Sequence, residues 1–390
     1  MKLIYRTYRV ELKPTQDQKV LLEKHFGCVR YVYNYFLNHR KEQYQLFNKS
    51  ENYFSQAKLL PNLKKNEETS WLKEVNSQSL ADSLRHLDSA YQKFFKGKSK
   101  FPRFKSKKSK NSFSVPQHFK IEQNRLHIPK FKQGIKYIHT RSIDGRICNV
   151  TVSKTPVGRY YASVLVEQEY EQKPKTGLSV GVDLGIKDLA VTSDGVRYKN
   201  NRYTKTYERK LAKAQKHLSR KKKGSRSFEN QRRKVAKIHE KITNTRQDVL
   251  HKITTKLIER YDTIVVESLN VKSMMSNRSL SKHIHDASWG TFLHYLKYKA
   301  DWNDKQVVAI DRFYPSSKTC NVCGWINQNL NLSMREWTCA NGHVLDRDFN
   351  AAQNILHEGL KILNSAGTVE NTDGDDVRLS NQQLSMKSEV

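Results

Sequence analysis

The chain has 390 residues, enough for two to four domains and at least one sizeable core. Lys and Arg number 71 against 38 Asp and Glu, a formal net charge of +33, so the surface needs a polyanion to face, nucleic acid before a membrane. No apolar run is long enough to span a bilayer, and the opening MKLIYRTYRVELK meets charge too early for a signal peptide. Membrane and exported classes are therefore set aside, and a cytoplasmic protein is expected.

Residues 3–12 alternate and predict a strand, which Pro14 ends. Thr15 with Gln18 forms a capping-box pattern, and Leu22, Phe26, Val29, Tyr33 and Leu37 recur at helical spacing, so 16–46 is expected to be mostly helix. A second helix is predicted over 77–95, with Leu80, Leu84, Leu87 and Tyr91 on one stripe. In 96–110, eight of fifteen residues are Lys or Arg, with Phe101 and Phe104 among them, which reads as a basic loop. From 111 to 170 short strand patterns separated by turns such as Asp144-Gly145 predict a small β-barrel or sheet. Residues 171–177 read as a polar linker.

The carboxy-terminal half has a different rhythm. Strand patterns at 178–185, 188–195 and 196–198 are followed by a long basic helical stretch over 203–260. Then come an apolar strand (263–269), a helix around 288–302, a strand (307–313), a Cys-rich insert (314–343) and a helix (348–363). The order β-β-β-α-β-α-β, insert, α is that of an RNase H-like domain. Residues 364–390, with Asp373, Asp375 and Asp376, are polar and predicted disordered.

Asp183 and Glu267 each end a strand of apolar neighbours, where an unpartnered charge is costly. Two such acids can share cations. Asp348 opens a helix, where free backbone N–H groups can orient its carboxylate. Oxygen-only ligands suit Mg²⁺ or Mn²⁺, and two such ions about 3.5–4 Å apart can activate water and stabilise the leaving oxygen of a phosphodiester. Asp183 is assigned as the bridging ligand, with Glu267 and Asp348 holding one ion each. Asp346 could stand in for Asp348.

There are five cysteines, an odd number without an export signal, so a disulfide framework is not expected. Cys28 and Cys148 read as buried small apolar residues. CNVC (320–323) followed by CANGH (339–343) offers two ligand pairs for structural tetrahedral Zn²⁺: Cys320, Cys323, Cys339 and His343. A knuckle without metal, or a water or remote fourth ligand, stays open. For nucleic-acid contact the densest basic segments are 96–110, a helix 205–223 and 226–241; Lys105, Lys107, Lys108, Arg220, Lys221 and Lys222 are the residues singled out.

Together LKPTQDQKVLLEKHFGCVRYVYNYFL, KGKSKFPRFKSKK, GVDLGIKDLA, VVESLNVKSM, YPSSKTCNVCG and DRDFNAAQNIL resemble the TnpB (OrfB) family of insertion-sequence nucleases, related to type V CRISPR effectors. The resemblance covers nearly the whole chain. It implies an α/β multidomain protein: a wedge-like β-barrel (1–12 and 111–175) carrying an inserted helical recognition domain (13–110). A RuvC-like, RNase H-like nuclease domain (176–313 and 344–363) follows, with a zinc-ribbon-type insert that binds target nucleic acid (314–343) and a tail (364–390). It further implies a guide RNA from the transposon end and double-stranded target DNA cut beside a short motif. Asn76, Ser77 and Gln78 would touch that motif; otherwise they cap a helix. The expected protein is monomeric. Asp183, Glu267 and Asp348 match the family's catalytic positions, and Cys320, Cys323 and Cys339 its zinc positions. The fourth departs from the common second CxxC. The competing readings are a cleavage-inactive RNA-guided repressor, a transposase and a junction resolvase.

Overall fold

The computed structural model describes residues 1–369 other than Ser109 and Leu332, so that most of the predicted tail lies outside the described residues. They divide into two units, Met1–Glu171 with Lys213–His239, and Gln172–Ala212 with the chain from Glu240 onward. The second unit thus lacks 213–239, which the sequence assigned to the nuclease domain.

In the first unit, strand β1 (Lys2–Leu12) buries Ile4, Tyr8, Val10 and Leu12 on one face. It pairs antiparallel along its whole length with β7 (Tyr160–Tyr170), and the sheet continues through β6 (Arg146–Lys154) to β2 (Asn111–Val115) in the order β1-β7-β6-β2. A smaller sheet, β3 (Lys120–Glu122), β4 (Arg125–His127) and β5 (Ile135–Lys136), is joined to β1 by a bridge between Leu12 and Tyr137. Among the described residues β1 and β2 do not pair with each other. Cys148 is the extra residue of a bulge between Ile147 and Asn149, so it is half-exposed rather than buried as the apolar strand pattern suggested. Cys28 is buried as expected.

Three helices enter between β1 and β2: α1 (Gln16–Phe47), α2 (Tyr53–Lys65) and, after a 3₁₀ turn (Glu67–Glu74), α3 (Ser77–Phe95). The Thr15–Gln18 capping box starts α1. Its stripe of Leu22, Phe26, Val29, Tyr33 and Leu37 shares one core with Leu80, Leu84, Leu87 and Tyr91 of α3. Each fully buried leucine contributes about 1.5–3 kcal/mol.

His25 is fully enclosed in that core: Nδ1 donates to the Leu21 carbonyl (2.8 Å) and Nε2 accepts the Asn76 backbone N–H (3.1 Å). Burial pulls its imidazole down to about 4. The unfolded chain takes up this proton near 6.5, so the stabilisation is complete above that pH and is lost as pH falls from about 6.5 toward 4, roughly 3 kcal/mol in all. Urea unfolding across that window should therefore show a shallower pH dependence for His25→Gln than for the wild type.

The second unit is built on β8 (Ser179–Asp183), β9 (Asp188–Thr192), β10 (Arg197–Lys199), β11 (Thr263–Glu267) and β12 (Gln306–Ile310), ordered β10-β9-β8-β11-β12. The first three form an antiparallel meander; β11 runs parallel to both β8 and β12. The basic stretch after β10 is two helices rather than one, α4 (Tyr203–Ser219) and α5 (Arg226–Arg260). The break comes at Gly224, whose φ of +84° favours glycine, and Ser225 caps α5 through the Phe228 N–H. Two helices were not foreseen in the polar segment after β11: α6 (Val271–Met274) and α7 (Arg278–Ala287) precede α8 (Trp289–Trp302). The insert closes on a hairpin of β13 (Glu336–Thr338) and β14 (Val344–Asp346). Helix α9 (Arg347–Val369) outruns the predicted end at 363.

Helix α9 packs on β8, β9, β11 and β12. Two glycines permit the approach. A Cβ on Gly181 would meet the Ala352 carbonyl oxygen at 2.1 Å, and one on Gly359 would meet Val265 at 2.2 Å. At Gly181 the obstacle is backbone and cannot rotate away. Gly181→Ala should cost on the order of 3 kcal/mol, read as a lower urea midpoint, and should impair any chemistry that needs the start of α9 against β8.

Candidate active site and cysteine cluster

The parallel register runs from Thr263 opposite Ser179 to Val266 opposite Val182. Asp183 and Glu267 therefore end two adjacent parallel strands, each at the carboxyl end. The first turn of α9 brings Asp348 to the same place. Asp183 is half-buried, and its desolvation, with the negative charges of Glu267 and Asp348, pushes its carboxyl up to about 8; Arg347 opposes them. Burial also raises Glu267, against a hydrogen bond that its Oε1 accepts from the Ser316 hydroxyl (2.5 Å). Asp348 is gripped by Arg347, whose Nε and Nη2 reach Oδ1 at 3.1 and 2.8 Å, and by Arg335 at 3.4 Å from Oδ2. Charges 84 and 165 residues away in sequence thus act on Asp183.

Local bonding distinguishes Asp346 from Asp348. Asp346 Oδ1 accepts the Phe349 N–H and so caps α9, and Arg197 pairs with the same oxygen (2.7 Å). Asp346 is a helix cap; Asp348 is the acid that Asp183 senses. Hard oxygen donors at strand ends suit Mg²⁺ or Mn²⁺, and like charges nearby raise Asp183.

Sequence reasoning missed Ser316, Arg335 and Arg347 as neighbours of the acids. The signal for the arginine was DRD itself, a cation flanked by two acids. For the serine it was the pair Asn350 and Asn354 on an otherwise apolar helix face, since buried amides require partners.

In the insert, Cys320, Cys323, Cys339 and His343 bring their ligand atoms within 4.8 Å of one another. Cys323 Sγ to Cys339 Sγ is 3.8 Å, Cys320 Sγ to His343 Nδ1 3.7 Å and Cys339 Sγ to His343 Nδ1 3.1 Å. Edges of this size are those of a tetrahedron with metal–ligand bonds of about 2.0–2.3 Å. Each ligand pair turns at a glycine of positive φ, Gly324 (+75°) and Gly342 (+84°). The Trp325 backbone N–H beside Cys323 draws its thiol down to about 6, toward the thiolate a metal needs. The buried residues here are Cys320, Trp337, Cys339 and Leu345, too small a core to hold a fold unaided. The donor set fits Zn²⁺, with His343 the fourth member.

The basic residues divide. Lys107, Lys108, Arg220, Lys221 and Lys222 are exposed, the last three in the turn after α4 rather than in a helix to 223. Lys105 turns inward. Its ammonium lies 3.8 Å from the centre of the Tyr33 ring, its backbone exchanges two hydrogen bonds with Asn34, and burial lowers it to about 8. Asn76 is buried, its Oδ1 capping α3 through the Gln78 N–H, so its amide serves the helix. Ser77 is exposed and accepts from Lys64; Gln78 is half-buried and donates to Gln117.

Known proteins are similar to this chain throughout. A protein from Streptomyces pristinaespiralis named "Putative RNA-guided DNA endonuclease" is 38% identical over 364 residues, covering 92% of this chain and 90% of that one. The chain belongs to the TnpB (OrfB) family. Another relative, "Putative RNA-guided DNA endonuclease InsQ" of Escherichia coli K12, is 32% identical over 92% of this chain and 93% of its own length. The OrfB family profile of IS605-type elements, described as "Probable transposase", matches residues 162–278 and so includes Asp183 and Glu267. A profile described as "Cas12f1-like, TNB domain" matches 289–355, which contains the cysteine cluster and Asp348. The third profile, "Helix-turn-helix domain", matches 1–49, which in this member of the TnpB family is the strand β1 and the single helix α1. A solved "Cas12f1-sgRNA-target DNA complex" aligns over 90% of this chain and 98% of that one at 11% identity, with a TM-score of 0.49; that distance adds nothing to the assignment. No helix among the described residues is long and apolar enough to cross a membrane.

Proposed function

We propose that the chain is an RNA-guided DNA endonuclease that cuts double-stranded DNA beside a short motif at a single site made of Asp183, Glu267 and Asp348. The observation that carries this reading is the placement of the acids: Asp183 and Glu267 end the adjacent parallel strands β8 and β11, and Asp348 lies in the first turn of α9, which packs on both. The sheet order β10-β9-β8-β11-β12, a meander followed by two parallel strands, is that of RNase H-like nucleases of the RuvC type. The relatives' names point the same way.

Two Mg²⁺ or Mn²⁺ ions, when bound, would supply a polarised water and charge neutralisation at the leaving oxygen. Asp183, Glu267 and Asp348 are the residues that would hold these ions. Arg347 and Arg335 balance Asp348's charge before the ions bind. The cysteine cluster holds zinc structurally, and the exposed Lys107, Lys108 and Arg220–Lys222 lie on surfaces able to follow a phosphate backbone. Sequence is read by pairing of a guide RNA with the target, and protein reads the flanking motif.

RNA that copurifies with the protein should sequence as one defined species several tens of nucleotides long or more; a random sample of cellular RNA would refute guided action. The "Probable transposase" description supports strand transfer as the second reading. Cleavage that depends on the bound RNA and leaves no joined product separates the two, and a repressor would bind without cutting.

A further inference from the structure

Ser316 is buried four residues before the first cysteine of the insert, and its position is fixed on both sides. Its hydroxyl donates to Glu267 Oε1 at 2.5 Å. Its backbone carbonyl accepts from Asn354 Nδ2 at 2.8 Å and from Asn350 Nδ2 at 3.4 Å, and its N–H donates to the Tyr314 carbonyl. The same two amides hold the Thr319 carbonyl at 2.6 and 2.7 Å, and Asn350 Oδ1 accepts the Asn321 N–H at 2.9 Å. Asn350 and Asn354 are 1% and 3% exposed, one turn apart on α9, the helix that carries Asp348. These links from α9 to the loop are made by two buried side-chain amides with defined partners.

A carboxylate at a strand end can rotate about its last bond, and each orientation presents different lone pairs. One hydrogen bond from a fixed hydroxyl removes that freedom and leaves the remaining lone pairs for a cation. The hydroxyl is neutral, so it orients Glu267 without cancelling the charge a cation needs. An arginine in its place, such as Asp348 has, would compete with the ion.

We propose that Ser316 is a positioning residue of the nuclease site: it orients Glu267 for a divalent cation, and Asn350 and Asn354 of α9 hold it there, so that the helix bearing one acid sets the direction of another. This rests on the reading of Glu267 as a cation ligand. It gives YPSSK a role separate from zinc binding, although the two are adjacent in sequence.

The test is Ser316→Ala in the full chain with its RNA, beside wild type and Glu267→Gln. Mn²⁺ binding is followed by calorimetry, and cleavage is followed as a function of Mg²⁺ concentration, with zinc content and melting temperature measured on each. Ser316→Ala should bind Mn²⁺ about tenfold more weakly and need about tenfold more Mg²⁺ for half-maximal cleavage. Its rate at saturating Mg²⁺ should stay within a few-fold of wild type, with zinc and melting temperature unchanged. Wild-type Mn²⁺ affinity and Mg²⁺ dependence in Ser316→Ala would overturn the positioning role while leaving the acid site standing. Loss of zinc or of melting temperature would also overturn it, since the serine would then be a structural part of the insert. Should Glu267→Gln bind Mn²⁺ as wild type does, the reading of the acid site itself fails, and the inference with it.

Discussion

Asp183→Ala should leave the protein folded, bound to RNA and able to bind target DNA, yet cut at least ~10⁴-fold more slowly, a barrier increase of about 5 kcal/mol or more. The reasoning is electrostatic. Asp183 is the acid on which desolvation and the charges of Glu267 and Asp348 converge, so it is where the proposed cations would be held most strongly. The same convergence makes it a poor structural residue without metal. Its carboxyl, at about 8 in the folded protein against the ordinary aspartate value of 3.8, binds a proton more tightly folded than unfolded. Its contribution to stability is full below the unfolded value and is lost as pH rises through the folded one. In chelator, then, the wild type should lose stability between about pH 4 and 8 relative to Asp183→Ala, and the variant should melt no lower at pH 8. Added Mg²⁺ or Mn²⁺ should reverse the difference and release a proton, with affinity that rises with pH up to about 8. Undiminished cutting by the variant would refute the site.

Removing zinc is expected to have the other large effect. Structural zinc sites bind with roughly 10–16 kcal/mol, and the insert's small core offers nothing comparable. One zinc per chain should be found by elemental analysis. Cys339→Ser should lose it, and protease should then cleave within 320–343, a segment resistant in wild type. His343→Ala should weaken zinc retention against a chelator, whereas His343→Cys, which restores a second Cys pair, should keep it. Equal retention in wild type and His343→Ala would exclude His343 as a ligand. Cleavage should fall with the zinc, because Arg335 and Ser316 reach Asp348 and Glu267 from this insert.

Much of this was legible in the linear chain. Strand β1, helix α1 and helix α3 follow from near-neighbour patterns: alternation for a half-buried strand, a 3.6-residue stripe for a helix, Thr15 and Gln18 for its start. Asp183 and Glu267 stood out because each ends an apolar strand run, and the cysteines because paired ligand spacing is itself local. Helices α6 and α7 escaped because they are short, four and ten residues, and the break between α4 and α5 because continuous basic residues hide a turn at Gly224.

What the sequence alone determined is therefore which segments become strands and helices and which residue types could carry metal chemistry. The tertiary structure decided which of them do so. It made Asp346 a cap and brought Asp348's charge to bear on Asp183, turned Asn76 and Lys105 inward, completed the cysteine set with His343 and set Ser316 on Glu267, 49 residues away in the chain. The reason is range. Backbone conformation is set by interactions between residues a few positions apart, whose pattern is written in order. The partner of a buried polar side chain is set by which distant elements pack together, here by how closely Gly181 and Gly359 let α9 approach the sheet.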